Sequence, residues 1–187
     1  MDTTRISENT IHLNELKADA RRTQKSGLPF MMASVLIWTM IMLIQFADIK
    51  IGGKNMLTFC CSCTLMPLAY IFSKIIKADI FGQLHNPVNK LGFLCTMNQM
   101  LYLVIVMWAF NQKPEAMMML FAMVFGGHLL PYSWVYNAKP YIFASIIETI
   151  GVLIIALAFG NVPAAGFMII MQLILCILLF RDLRKDS

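Results

Sequence analysis

The sequence has few charged residues and no polar stretch long enough to form a soluble domain. Only 13% of its 187 residues are Asp, Glu, Lys or Arg, whereas soluble proteins contain about a quarter. Its hydrophobic residues, 59% of the total, are gathered in apolar runs of membrane-spanning length. Residues 1–25 contain no apolar run, so we expect no cleaved secretory signal and interpret the first long run as a retained helix. The composition predicts an integral membrane protein.

The sequence also lacks the residue sets that catalysis and metal binding require. It shows no Ser/His/Asp triad, phosphate-binding loop or catalytic carboxylate pair, so we expect no enzyme activity and no cofactor. All five cysteines lie in apolar runs, which argues against a disulfide framework. Cys60 and Cys63 share a helical face, but no nearby histidine completes a zinc site. Met119 and Met123 could present two thioethers to Cu(I), although the surrounding methionines fit lipid-facing packing better. No metal site is predicted.

Six apolar runs predict an all-α fold of six transmembrane helices joined by short loops. Glycine, proline and asparagine residues mark the breaks, and three prolines stand near the first turn of a predicted helix, where a missing N–H costs nothing. The chain divides into an interfacial, amphipathic N-terminal segment (1–26), one six-helix bundle (27–181) and a tail (182–187). The predicted spans are 28–48, 55–77, 91–110, 115–136, 140–159 and 162–180.

The basic residues predict that both termini lie in the cytoplasm. With six spans, the two tails and the second and fourth loops share one side of the membrane, and twelve of the fifteen Lys and Arg residues fall there. Only Lys50, Lys54 and Lys113 fall on the other side. Basic span ends account for the net charge of +5 through orientation and contact with anionic lipid, so we expect no nucleic-acid binding. The lipid bilayer is the expected partner, and a homo-oligomer is compatible with the sequence.

Two spans carry an ionisable side chain in their interior, His128 in the fourth and Glu148 in the fifth. A titratable group at membrane depth is costly, so each is a candidate functional residue. Both lie about 10–12 Å from the cytoplasmic ends of their spans, and polar residues of the third and sixth spans fall at the same level. Together with tyrosines on the same helical faces, they form a predicted polar layer of six residues: Glu148, His128, Asn98, Tyr102, Tyr132 and Gln172.

Pro131 predicts a break in the fourth span beside His128. A proline lacks the N–H donor and clashes with the carbonyl four residues earlier, which is that of Gly127. Free carbonyls are tolerated at membrane depth only where protein or a water-filled cavity satisfies them. We therefore expect a small polar cavity bordered by the third to sixth spans, in which Glu148 and His128 meet.

Several short motifs follow one another along nearly the whole chain. They are Gly27-Leu28-Pro29-Phe30, Leu57-Thr58-Phe59-Cys60, Asn86-Pro87-Val88-Asn89-Lys90-Leu91-Gly92, Asn98-Gln99-Met100-Leu101-Tyr102 and Gly127-His128-Leu129-Leu130-Pro131-Tyr132. In this order they resemble an uncharacterised family of small bacterial six-span membrane proteins. That family has no assigned activity, so the resemblance implies a bacterial cytoplasmic membrane and supplies no functional residues.

Two functions are compatible with the sequence. A transporter or permease-like protein would bind a proton or a small solute, such as a cation, at Glu148, with His128 as its partner and the other four residues of the polar layer lining the site. A non-transporting scaffold, sensor or accessory subunit would use the same layer only to hold its helices together. A polar cavity that reaches Glu148 from one aqueous face would favour the first, and a sealed contact between Glu148 and His128 would favour the second.

Overall fold

The structure, a computed structural model, describes residues 3–80 and 85–185, with side chains described from residue 8 onwards. All regular secondary structure in these ranges is helical, which confirms the all-α prediction. Short 3-10 turns, Lys25–Gly27 and Pro114–Ala116, precede two of the helices. The α-helices are α1 (Thr3–Thr23), α2 (Leu28–Phe46), α3 (Ile51–Cys63), α4 (Leu65–Ile75), α5 (Pro87–Gln112), α6 (Met117–His128), α7 (Leu130–Val135), α8 (Pro140–Phe159) and α9 (Asn161–Lys185).

Six helical segments are long and apolar enough to cross a membrane, as predicted, so the chain is a multi-pass membrane protein. They are numbered spans 1 to 6 in chain order: Lys25–Phe46, Ile51–Ile75, Pro87–Gln112, Pro114–Val135, Pro140–Phe159 and Asn161–Lys185. Spans 3 and 6 are longer than predicted. Span 3 starts early because Asn86 caps α5 by accepting a hydrogen bond from the N–H of Val88, and α9 continues through the charged residues that were expected to begin a tail.

Spans 2 and 4 are each interrupted by a turn near a proline. In span 4, α6 ends and α7 begins around Leu129, as Pro131 predicts, because this proline has no N–H for the carbonyl of Gly127. Span 2 has the same cause for its break between α3 and α4, since Pro67 has no N–H for the carbonyl of Cys63. The sequence prediction placed no interruption in span 2.

The core of the bundle lies among spans 1, 4, 5 and 6. Helix α2 packs against α9, α6 packs against α8, and α8 packs against α9. Trp38 of α2 is fully buried, and its ring lies 5.6 Å from that of Phe121 and 5.7 Å from that of Phe125. Spans 2 and 3 are peripheral: 17% of the most apolar stretch of each is buried inside the protein, against 50% for span 1. Their outer faces are therefore available for contact with lipid.

Gly126 lets spans 4 and 5 approach closely. A Cβ atom at this position would lie 2.9 Å from the Cβ of Glu148 and 3.0 Å from the backbone nitrogen of Thr149. Both atoms are held by the helix α8 and cannot swing aside as the end of a side chain can. Small residues allow this kind of close backbone contact between membrane helices, so the distance between α6 and α8 depends on a glycine here.

Helix α1 packs against the end of the bundle at which α2 begins, which we name the α1 side. Ala20 of α1 is fully buried. Arg21 forms an ion pair with Asp182 of α9, with 3.0 Å between Nη2 and Oδ2, and Lys17 lies 3.5 Å from the ring centre of Trp134. The N-terminal segment is therefore joined to the bundle by named side-chain contacts.

We expect Asn86→Ala to lower the free energy of unfolding by about 1–2 kcal/mol. The Asn86 side chain accepts from the N–H of Val88 at 2.9 Å, and its Nδ2 donates to the carbonyl of Leu16 in α1, also at 2.9 Å. The variant loses the cap of α5 and both hydrogen bonds of Nδ2 to α1, the second of which goes to Oδ2 of Asp19 at 3.0 Å. Unfolding in detergent measures the loss, and limited proteolysis measures the release of α1.

Asn111→Ala is the control, because within residues 3–80 and 85–185 this exposed side chain of the same helix donates only to the carbonyl of Met107, at 3.2 Å. Equal stability of the two variants would contradict the proposed role of Asn86.

Candidate functional site

The structure divides the six predicted site residues into two groups. Glu148 and Gln172 are both fully buried and are hydrogen-bonded to each other between α8 and α9. The other four, His128, Tyr132, Asn98 and Tyr102, lie between α5 and the broken span 4. The single polar layer expected from residue depth is thus two separate clusters.

The first cluster is a hydrogen-bonded chain through three helices. Oε1 of Glu148 accepts from Nε2 of Gln172 at 2.8 Å. Oε1 of Gln172 lies 2.7 Å from the hydroxyl of Ser34, which is fully buried in α2. Ser34 was missed by sequence reasoning, because a single hydroxyl in an apolar span usually bonds to its own helix. The chain connects spans 1, 5 and 6 in the middle of the core.

His128 and Glu148 do not form the expected contact. Gly126 faces α8, and a residue two positions later lies about 200° further round the helix, so the imidazole points away from Glu148. No hydrogen bond or ion pair joins the two side chains within the described ranges, and Glu148 lines neither of the two cavities at His128. The predicted direction of the His128 side chain on span 4 was therefore wrong.

The imidazole of His128 has one bonded and one available nitrogen. Its Nδ1 lies 2.5 Å from the carbonyl oxygen of Phe125. A carbonyl oxygen can only accept, so Nδ1 carries hydrogen, and Nε2 of the neutral ring is an acceptor. No described residue donates to Nε2, and His128 lines both cavities. A molecule in either cavity therefore meets a hydrogen-bond acceptor at membrane depth.

The larger cavity has a volume of about 370 Å³ and is named the tyrosine cavity. It lies between α2, α4, α5 and the α6–α7–α8 segment, beneath the α1–α2 turn, and its size falls in the range of small-molecule sites. Its described lining contains no Lys, Arg, Asp or Glu. The groups in it that can form hydrogen bonds are Gln24, Asn89, Thr96, Gln99, His128, Tyr132, Tyr136 and Tyr141.

Three tyrosines form a fixed wall of this cavity. The ring centres of Tyr132, Tyr136 and Tyr141 lie 6.0–6.1 Å from one another. The Tyr132 hydroxyl is 2.6 Å from Oγ1 of Thr96 on α5, and the Tyr136 hydroxyl donates to Oε1 of Gln24 at 2.6 Å. The Tyr141 hydroxyl donates, also at 2.6 Å, to a carbonyl of the α1–α2 turn. One hydroxyl connects to α5 and the other two connect to the α1–α2 turn, which fixes the positions of the rings.

The tyrosine cavity opens between α4 and α5. Met66 of α4 and Phe93 of α5 both line it and are nevertheless 47% and 58% exposed. Helix α4 packs mainly on α2, and α5 packs mainly on α6 and α7, so the two helices leave a gap between them. Gln24 lies at the α1 side and Gln99 lies near the middle of span 3. The cavity therefore extends from the α1 side to the middle of the bundle, with a side opening between α4 and α5.

Asn98 and Tyr102 line the smaller cavity, of about 310 Å³, on the outer side of His128. Nδ2 of Asn98 donates to the hydroxyl of Tyr102 at 2.9 Å, and Tyr102 is 43% exposed. The neighbouring Gln99 is instead 6% exposed and lines the tyrosine cavity. The six-residue layer predicted from the sequence does not include Gln99, whereas the rotation of about 100° per residue places it in the larger site.

Comparison with known proteins supplies a family but no activity. One family model, described as a family of unknown function (DUF7010), matches residues 13–182. No curated protein and no solved structure matches the chain. The match extends from α1 to the last turns of α9 and so includes both polar clusters and the tyrosine cavity. This multi-pass membrane protein therefore belongs to the DUF7010 family of unknown function.

Proposed function

We propose that this protein is a permease-like transporter of the bacterial cytoplasmic membrane that binds a small, uncharged, amphipathic solute in the tyrosine cavity. The observation that carries the proposal is the acceptor Nε2 of His128, which no described residue engages, at the wall of a 370 Å³ cavity. A solute O–H or N–H group would donate to this nitrogen. The proposal includes no catalytic step.

The lining of the cavity supports an uncharged solute. A cation at membrane depth needs a nearby carboxylate, and an anion needs a basic group, because an unpaired buried charge is costly. Neither kind of side chain is found in the described lining. Amides and hydroxyls from four elements, with aromatic rings between them, instead suit a molecule with one polar end and an apolar body.

The position of the opening supports entry from the membrane. The exposed rim residues Met66 and Phe93 are apolar, so a solute partitioned into the bilayer could pass between α4 and α5. Its polar end would then donate to Nε2 of His128, and the cavity continues from there to Gln24 at the α1 side. The excess of Lys and Arg on that side supports its location in the cytoplasm under this proposal.

The burial of Glu148 favours a second candidate function for the polar layer. Its chain to Gln172 and Ser34 is fully buried and lies outside both cavities. This is the arrangement expected of a scaffold, sensor or accessory subunit in which polar groups hold helices together. A solute that binds without being moved across a bilayer would favour a sensor, and failure to bind any solute would favour a scaffold.

We expect His128→Phe to weaken solute binding roughly tenfold, since a hydrogen bond worth about 1.4 kcal/mol corresponds to a factor of ten. Trp38 can report binding, because its ring contacts Phe125 at the cavity wall. In a Trp108→Phe, Trp134→Phe background, it is the remaining tryptophan. Titration with a panel of uncharged phenols, alcohols and amides should give a saturable change in its fluorescence, and flux of a bound probe into liposomes tests transport.

Met100→Leu is the control for His128→Phe, because Met100 is an exposed residue of α5 outside both cavities. We expect this variant to bind the probe like the parent protein. Unchanged affinity in His128→Phe, or the absence of a saturable response to the whole panel by folded protein, would contradict the proposed site.

A further inference from the structure

The buried chain of Glu148, Gln172 and Ser34 has more acceptors than its hydrogens can satisfy in one arrangement. The Ser34 hydroxyl has a single hydrogen, yet its oxygen lies 2.7 Å from Oε1 of Gln172 and 2.7 Å from the carbonyl oxygen of Met31. Only one of these two acceptors can receive that hydrogen at a time. The other close contact then needs a different donor.

Turning over the Gln172 amide supplies that donor. With nitrogen and oxygen exchanged, which leaves the heavy-atom positions essentially unchanged, the amide donates to the Ser34 oxygen and the Ser34 hydroxyl donates to Met31. The Gln172 oxygen then faces Oε1 of Glu148 at 2.8 Å. Two oxygens at this distance attract each other only if one carries hydrogen, so this arrangement requires a protonated Glu148.

The surroundings of Glu148 favour the protonated form. The carboxyl group is fully buried, and its Oε2 has no hydrogen-bond partner among the described residues. The described ion pairs, His12–Glu15 and Arg21–Asp182, do not involve it. A buried carboxylate with one hydrogen bond and no cation costs several kcal/mol, whereas a neutral acid costs much less.

The titratable groups on the neighbouring elements do not supply a counter-charge. His128 of α6 points away from α8, and Tyr132 of α7 is bonded to Thr96. Cys176 of α9 lies one turn beyond Gln172 and has no bond to Glu148. The basic residues of α9, Arg181, Arg184 and Lys185, lie in its last two turns, at the α1 side of the membrane.

We propose that Glu148 is a buried proton-binding site whose protonation sets the orientation of the Gln172 amide. In the resting protein, the acid donates to Gln172, Gln172 donates to Ser34, and Ser34 donates to the carbonyl of Met31. When the proton leaves to solvent, the amide turns over and donates to the carboxylate, and the Ser34 hydrogen moves from Met31 to Gln172. One proton is released, and no covalent bond other than the acid O–H is broken.

Met31 connects this site to the tyrosine cavity, because its side chain lines the cavity while its carbonyl accepts from Ser34. Protonation of Glu148 thus changes the hydrogen bonding of one residue in the cavity wall. This last step rests on the proposed function, whereas the proton site itself does not.

Infrared spectroscopy of the ligand-free protein in lipid nanodiscs tests the proposal. At neutral pH, we expect one buried carboxylic-acid C=O band, which is lost in Glu148→Gln and retained in Glu115→Gln. Glu115 is an exposed acid at the far end of span 4 and serves as the control. Gln172→Leu should move the band to higher frequency, because it removes the hydrogen bond to the acid. Biosynthetic labelling with heavy-carbon glutamate should shift the band in the unmodified chain, so the assignment does not depend on the folding of a variant.

Absence of the acid band in wild-type protein at neutral pH would overturn the proton site, and so would a band that survives in Glu148→Gln. A band that stays in place in Gln172→Leu would overturn the coupling to the amide. These measurements use no solute, so their failure is distinct from failure of the binding titration at His128.

Discussion

Gly126→Val should be one of the most destabilising substitutions in this protein, with a loss of about 3 kcal/mol in the free energy of unfolding. The new side chain would begin with a Cβ atom 2.9 Å from the Cβ of Glu148 and 3.0 Å from the backbone nitrogen of Thr149. Cβ atoms in proteins essentially never approach other heavy atoms within 3.0 Å, so α6 and α8 would have to separate. Their separation would open the core around Glu148, and the loss should be measurable by unfolding in detergent.

Gly52→Val is the matched control for this prediction. Gly52 also lies in a helix, but a Cβ atom there would meet nothing within 4 Å. We expect a change within about 0.5 kcal/mol for such an unconstrained surface position. Similar losses in the two variants would mean that the contact between α6 and α8 does not limit stability.

Gln172→Leu should cost about 2 kcal/mol, because it removes the partner of a buried carboxyl group and one of the two partners of a buried hydroxyl. Glu148 has no other partner for Oε1 within the described ranges, and its Oε2 is already without one. Combining the change with Glu148→Leu should recover much of the loss, since a pair of apolar residues leaves few polar atoms unsatisfied. Unfolding of the single and double variants in the same detergent measures the recovery.

Gln99→Leu is the control for the removal of a buried glutamine. Gln99 is 6% exposed, but it lines the tyrosine cavity and has no hydrogen bond to the described part of the chain. Its loss should change stability by less than about 1 kcal/mol. A double variant that is less stable than either single variant would show that the Glu148–Gln172 pair is not the unit that stabilises this region.

The six spans could be predicted from the sequence because a membrane-spanning helix is recognisable as one continuous apolar run. Apolar runs of about 20 residues, separated by Gly, Pro and Asn, define each span without any knowledge of packing. The break at Pro131 was predicted by the same local logic. The break near Pro67 follows that logic too, since Pro67 has no N–H for the carbonyl of Cys63, although the sequence prediction did not include it.

The candidate site could be predicted only in part, because side-chain direction depends on helix rotation and on small residues. Glu148 and Gln172 were placed at one depth and are bonded. His128 was placed at that depth as well, but the contact of Gly126 with α8 turns it to the opposite side. Gln99 and Ser34 became important only through their neighbours on other helices. The contacts of these four residues depend on the distances between helices, which cannot be read from the sequence.

The two peripheral spans are also long. Spans 2 and 3 contain 25 and 26 residues, which at 1.5 Å per residue gives lengths of about 38–39 Å, whereas the hydrocarbon layer is about 30 Å thick. Their polar ends, such as Lys54 and Asn111, extend beyond the apolar part, and any apolar length in excess of the layer is relieved by tilting, which increases in a thinner bilayer. Span 5, with 20 residues, has a length of about 30 Å, which matches that layer. Because α4 and α5 border the side opening of the tyrosine cavity, the thickness of the surrounding membrane should set how wide that opening is.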